Sequence, residues 1–329
     1  MTSKKRVLSG MRPTGPLHLG NLHGALMNWV SMQDDYECFF FIADWHALTS
    51  DYENPKFVSG YVREIMIDWL AAGLTQEKST LFVQSRIKEH AELFLILSMI
   101  TPVPWLERNP TYKDQIVQID NKDLSTFGFL GYPVLQAADI IMYKANGVPV
   151  GVDQVPHVEI TREIARRFNY LYGDVFPEPD ALLTATSKIL GLDRRKMSKS
   201  YQNAIYLSDS PDVVRQKVSQ MITDPQRARK SDPGDPDVCN VYEFHKLYSD
   251  PETVSRVNEA CRSASIGCVA CKKEMAENLI RGLQPIYEKR IYYSNNPDLV
   301  DAIIDDGCNK ARRVALRTME EVRKAVSFS

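Results

Sequence analysis

The sequence predicts an α/β protein: an open parallel sheet within residues 1–207 and an all-helical part over 208–329. Three observations point there. Residues 5–43 run strand, turn, helix, strand, which is the βαβ unit of a parallel sheet. Short apolar runs go on alternating with amphipathic helices as far as Phe168. From Pro211 onward the hydrophobic spacing is helical only.

The elements follow in order. Residues 5–9 (KRVLS) form the first strand, and Gly10 to Pro16, with two glycines and two prolines, must turn. His18-Leu19-Gly20-Asn21 opens a helix that continues through Leu22, Leu26 and Val30. Residues 36–43 (YECFFFIA) are continuously apolar and aromatic, as a strand covered on both faces is. A helix over 55–72 ending at Gly73, a strand over 80–84 and a helix over 89–100 come next. Residues 105–131 are more polar and read as an inserted connection. Tyr132-Pro133 starts another helix, residues 148–152 form a strand, and Asp153 caps a helix to Phe168. A proline-rich stretch leads to the basic loop Asp193–Ser200. Helices then cover about 212–222, 251–263, 272–292 and 297–326.

Composition narrows the class. Hydrophobic residues make up 44% and charged residues 25%, as in ordinary globular proteins. No run of 18 apolar residues exists, so no membrane span is predicted. The basic residues of the N-terminus precede no apolar run of signal length, and the expected compartment is the cytoplasm. With a net charge of −2, any nucleic-acid contact must be a local patch.

Two stretches carry chemistry. Lys196-Met197-Ser198-Lys199-Ser200 offers ammonium and hydroxyl donors suited to gripping and releasing a polyphosphate. Alone it reads equally as a solvated basic turn. His18 and Asn21 share a face at a helix N-terminus in the first βα turn, where an open parallel sheet takes its ligand. A dinucleotide fingerprint is missing, because Gly10, Gly15 and Gly20 are spaced too widely.

Together, His-x-Gly-Asn in the first turn and Lys-Met-Ser-Lys-Ser after the α/β part resemble the two signatures of class I aminoacyl-tRNA synthetases. Further stretches, Ser9-Gly10-Met11-Arg12-Pro13-Thr14-Gly15, Ala43-Asp44-Trp45-His46-Ala47, Tyr132 to Ile140 and Val148 to Gln154, are similar to bacterial tryptophanyl-tRNA synthetases over nearly the whole chain. The resemblance implies a Rossmann-like catalytic domain over 1–207, with a dimer-forming insertion at about 105–150. It also implies a helical anticodon-binding domain over 208–329, a homodimer, Mg²⁺, and the joining of L-tryptophan to tRNA(Trp) at the expense of ATP. Mapped onto this chain, Asp139 takes the indole N–H, Tyr132, Gln136 and Gln154 surround the α-amino end, and His46 packs near the ring. Arg12, Thr14, His18, Gly20, Asn21, Asp153, Lys196, Met197, Ser198 and Lys199 fall to ATP, with His18, Asn21, Lys196 and Lys199 catalytic. Arg12 stands where other members have Gln, and Val152 where they have Glu. The alternatives are a tyrosyl-tRNA synthetase, which would add a tyrosine where this chain has Ser9-Gly10, and a non-catalytic tRNA-binding relative.

Cys239, Cys261, Cys268 and Cys271 cluster within 33 residues. In a cytosolic chain that favours a metal over disulfides, and four thiolates suit tetrahedral zinc or a 4Fe–4S cluster. A subset of bacterial tryptophanyl synthetases similar to this chain carries such cysteines around a 4Fe–4S cluster, which the resemblance implies here.

Overall fold

Strand β1 (Arg6–Met11) lies at the centre of a five-stranded parallel sheet of order β3-β2-β1-β4-β5 in the computed structural model, which describes residues 4–109, 112, 124–183 and 189–328. β2 (Glu37–Ile42) pairs with β1 from Arg6 opposite Glu37 to Met11 opposite Ile42. β3 (Ser79–Val83) lies outside β2, while β4 (Gly147–Val150) and β5 (Asp180–Leu183) continue on the other side of β1. The strand order reverses between β1 and β4, so a crevice opens there beyond the carboxyl ends of the strands.

The aromatic run of β2 explains the core. Phe39, Phe40, Phe41 and Ile42 are buried, and Trp29 stacks on Phe40 with centroids 4.6 Å apart. The segment after the first turn is helical but interrupted: α1 (Leu19–Asn21), a π-turn (Leu22–Leu26) and α2 (Met27–Met32). Then come α3 (Asp44–Asp51), α4 (Pro55–Ala72), α5 (Glu89–Ile100) and α6 (Val103–Glu107). The sheet region continues with α7 (Phe127–Met142) and α8 (Val155–Tyr172).

Several sequence expectations need correction. α7 starts at Phe127, not at Tyr132-Pro133. Thr126 accepts the N–H of Phe129 and caps the helix, and Pro133 sits inside it. The N-cap position of α8 is held by Gln154, not by Asp153. Asp153 lies in the single 3₁₀ turn Val152–Gln154, and the helix begins at Val155 and runs on to Tyr172. β5 falls where the sequence predicts a proline-rich connection. It is a four-residue edge strand with an exposed first and last residue, so it lacks the apolar run of an inner strand.

Beyond residue 208 the chain is helical: α9 (Pro211–Ser219), α10 (Asn240–Tyr248), α11 (Pro251–Arg262), α12 (Cys268–Ser294) and α13 (Pro297–Ala325). α10, of nine residues, lies outside the helical spans that the spacing predicts. α12 packs along α4, and α13 crosses β3 so closely that a Cβ on Gly307 would meet the Leu81 carbonyl oxygen at 1.7 Å. Among the described residues no helix is long and apolar enough to cross a membrane.

Candidate active site

A cavity of about 370 Å³ opens at the strand-order reversal, within the range of small-ligand pockets. Its walls include Gly10 and Arg12 from the end of β1, Phe41 from β2, Val148 and Val150 from β4, and His46 from α3. α7 contributes Tyr132, Gln136 and Asp139, and the turn before α8 contributes Gln154. Spacing on α7 explains the convergence, since residues 132, 136 and 139 recur one turn apart on one face. All five residues assigned to the amino-acid end therefore line one cavity.

Asp139 is fully buried at the bottom, and burial would push its carboxyl upward. Donors from His46 and His90 outweigh that and hold it below the ordinary carboxylate range. His46 Nε2 lies 2.8 Å from Oδ2, and Gln84 Nε2 lies 2.9 and 2.8 Å from the two oxygens. His90 Nδ1 donates to Oδ1. An ionised carboxylate only accepts, so each facing imidazole nitrogen must carry its proton. Gln84 and His90 escape the sequence reading. Gln84 directly follows β3, and the rule that strand carboxyl ends face the ligand would have found it. His90 carries no comparable signal.

Tyr132 is held in turn. Its hydroxyl lies 3.1 Å from His157 Nε2, and Asn109 Nδ2 lies 3.0 Å from His157 Nδ1. Because the Asn109 amide donates, the His157 proton sits on Nε2 and points at Tyr132. Arg12 reaches Ser50 Oγ through Nη2, which also lies 3.4 Å from Asp51 Oδ2.

The phosphate-type residues assemble at the first βα turn, beside the cavity rather than in it. Thr14 lies in that turn, half-buried, with its N–H 2.9 Å from the Arg12 carbonyl. The His18 backbone N–H donates to Asn21 Oδ1 at 3.0 Å, so part of Asn21 serves the helix start. Gly20 makes room for the His18 ring, since a Cβ there would lie 2.9 Å from it. Burial first, then the charges of Lys199 and Lys196, push His18 down to about 4, so it is neutral at pH 7.

The basic loop is stitched to this turn. Lys199 Nζ donates to the Gly15 carbonyl at 2.8 Å, Leu19 N to Ile205 O at 3.0 Å, and Leu207 N to Leu17 O at 2.9 Å. Met197 is buried, Lys196 is exposed, and Ser198 presents its backbone N–H to Asn203 Oδ1 at 2.8 Å. Asn203, another residue that carries no motif signal, also donates to Asp193 and to the Lys196 carbonyl. Burial lowers Lys199 to about 8 against the pull of Asp68. The side chain of Asp153 lies outside the described residues.

The four cysteines come from three places: Cys239 ahead of α10, Cys261 in the last turn of α11, and Cys268 and Cys271 in the first turn of α12. Arg227 Nη1 lies 3.8 Å from Cys261 Sγ and 3.9 Å from Cys268 Sγ. Burial, then the nearness of Cys239, Cys261 and Cys268, pushes the Cys271 thiol up to about 12. The sulfurs thus share one neighbourhood. Among the described residues, however, no three or more His, Cys, Asp or Glu side chains stand at metal-ligating spacing.

The chain is similar to known proteins over nearly its whole length. The family model for class I tRNA synthetases of the W and Y type matches residues 1–284. A tryptophan–tRNA ligase from Thermotoga maritima is 55% identical over 325 residues, spanning 98% of this chain and 99% of that protein. One from Aquifex aeolicus is 47% identical, spanning 98% and 100%. The crystal structure of a tryptophanyl-tRNA synthetase from Campylobacter jejuni, complexed with ADP and tryptophan, matches with a TM-score of 0.90 at 33% identity, covering 98% of this chain and 99% of that one.

Proposed function

Because this chain belongs to the class I tryptophanyl-tRNA synthetases, we propose a division of labour among its residues in the work of a tryptophan–tRNA ligase. The enzyme joins L-tryptophan to ATP with release of pyrophosphate, then passes the tryptophanyl group to tRNA(Trp). One observation carries the residue assignment: a buried Asp139, held ionised by its donors, in one cavity with His46, Tyr132, Gln136, Gln154 and Arg12.

The indole is held among Phe41, Val148 and Val150, with its N–H on Asp139. Tyr132, Gln136 and Gln154 take the α-amino end, and Arg12 faces the carboxylate. A carboxylate oxygen attacks the α-phosphorus, and the bond to the bridging oxygen breaks. Little covalent help is needed; position and charge do the work. His18, neutral and beside Gly20, offers a donor to the phosphates, with Asn21 and the Thr14 turn. Lys196 and Lys199 take the charge that accumulates on departing pyrophosphate, with Met197 anchoring the loop and Ser198 assisting. A ribose hydroxyl at the tRNA 3′ end then attacks the carbonyl and AMP leaves. Mg²⁺ arriving with the nucleotide supplies further phosphate charge neutralisation.

An all-thiol donor set beside a cation, Arg227, fits a 4Fe–4S cluster held by Cys239, Cys261, Cys268 and Cys271, with zinc as the alternative. It would pin α10, α11 and α12 together. Visible absorbance with iron and sulfide after anaerobic purification supports the cluster; a colourless protein containing zinc overturns it. The dimer face we assign to exposed Leu95 and Met99 of α5, Val103 of α6 and Phe127 of α7, at the border of the 105–150 insertion. The catalytic part ends at residue 207, the helices from 208 meet the anticodon, and the enzyme works in the cytoplasm.

Pyrophosphate exchange against a panel of amino acids tests the assignment. Tryptophan should support exchange, and Lys199→Ala should lower kcat about 10²–10³-fold. Exchange driven by tyrosine but not tryptophan would overturn it.

A further inference from the structure

Asp139 is approached from two sides. From the cavity side comes His46, whose side chain is 12% exposed. From behind come Gln84 and His90, both at 0% exposure and neither a wall of the cavity. Gln84 does two things. Its Nε2 reaches both carboxylate oxygens, and its Oε1 accepts the N–H groups of Trp45 and His46 at 3.1 and 3.3 Å. One buried amide therefore sets the carboxylate and the backbone of the residue facing it. His90 is fixed at its far side, where Nε2 lies 2.7 Å from the Tyr143 hydroxyl. Tyr143 is itself wholly buried, so in the neutral ring its O–H donates to Nε2 while Nδ1–H serves Asp139.

A carboxylate with two fixed donors behind it cannot rotate freely, and it keeps its charge in a dry site. Its exchangeable acceptor position is the one on Oδ2 toward the cavity, where His46 now sits. We propose that Gln84 and His90 are positioning residues for amino-acid selection: they fix Asp139 so that a ring N–H, taking the place of His46 on Oδ2, is what completes its hydrogen bonds. The selection rests on the assignment of the indole N–H to Asp139 made above. A ring of the same shape without the N–H leaves a buried carboxylate short of a donor, which the site rejects.

The test compares kcat/KM in pyrophosphate exchange for tryptophan and for β-(3-benzothienyl)alanine, in which sulfur replaces the ring N–H. Wild type should favour tryptophan by at least about 10²-fold. His90→Leu removes one rear donor and should cut that ratio about 10-fold or more. His90→Asn places an amide N–H near the former Nδ1 and should keep most of it. Gln84→Glu keeps an acceptor for Trp45 and His46 but loses the donor to Asp139, and it should cut the ratio as well. It supplies the measurement if His90→Leu does not fold. A loss of rate equal for both substrates, leaving the ratio unchanged in the folded variant, overturns the proposal, and so does a collapse in His90→Asn equal to that in His90→Leu. A wild type that takes the sulfur analogue as readily as tryptophan overturns the Asp139 assignment instead.

Discussion

Lys199 is the residue whose environment makes the sharpest demand. Its ammonium sits against the Gly15 carbonyl, and burial lowers it from 10.5 to about 8. The free enzyme thus loses this cation as pH rises through about 8, before ATP has arrived to hold the proton. kcat/KM for ATP, which reports the free enzyme, should fall above that pH. The linkage sign is opposite for stability. Between about 8 and 10.5 the unfolded chain binds a proton that the folded chain has released, so this group's contribution to stability rises with pH there. Lys199→Arg should remove the alkaline fall in kcat/KM, because a guanidinium stays charged. If the same fall persists in that variant, another group is titrating. The basic loop is legible in sequence because its residue types have few other uses together. The neighbours that tune it are not: Asn203, which ties the loop to itself, and Asp68, which lies far away in sequence.

At the scale of elements, the strands β1 to β4 can be read, and so can the long helices. Each element that cannot has a physical reason. β5 is an edge strand, polar at one end, and pairs on one side only. α7 hides its start because Thr126, not a proline, caps it. The docking of α13 is invisible as well, since nothing local distinguishes Gly307 from any helical glycine. Yet it is where the last helix lies on the β3 backbone, with Cys308 Sγ 3.5 Å from the Val83 N–H. A methyl group there would be driven into a backbone carbonyl that cannot move aside. Gly307→Ala, helix-favouring in isolation, should therefore lose about 1–3 kcal/mol or more in urea denaturation. A gain in stability would mean that α13 stands farther from the sheet than the 1.7 Å between an added Cβ and the Leu81 carbonyl oxygen requires.

For the whole molecule, α12 ties the helical part to the first βα turn. This 27-residue helix begins at Cys268 and Cys271 and carries Arg290 near its end. Arg290 Nε donates to Asp68 Oδ1 at 2.7 Å, and its Nη2 donates to Glu64. Asp68, on α4 and fully buried, receives the Leu17 N–H on its other oxygen at 3.3 Å, one residue before His18. Burial pushes Asp68 up, to about 6, against the attraction of Arg290, so it is ionised at neutral pH only at some cost. Removing the cation leaves that charge alone in the interior. Arg290→Leu should therefore cost about 3–5 kcal/mol in urea denaturation, and Asp68→Leu added to it should restore most of the loss. At temperatures where the single variant remains folded, KM for ATP should rise several-fold while KM for tryptophan holds. Asp68 supports the turn that carries His18 and lies within the field of Lys199, whereas Tyr132, Gln136 and Asp139 of the cavity wall stand on α7 and His46 on α3. Equal increases in both KM values would place the effect of Arg290 on the fold as a whole, and an unchanged urea midpoint would show that the ion pair does not join the two parts.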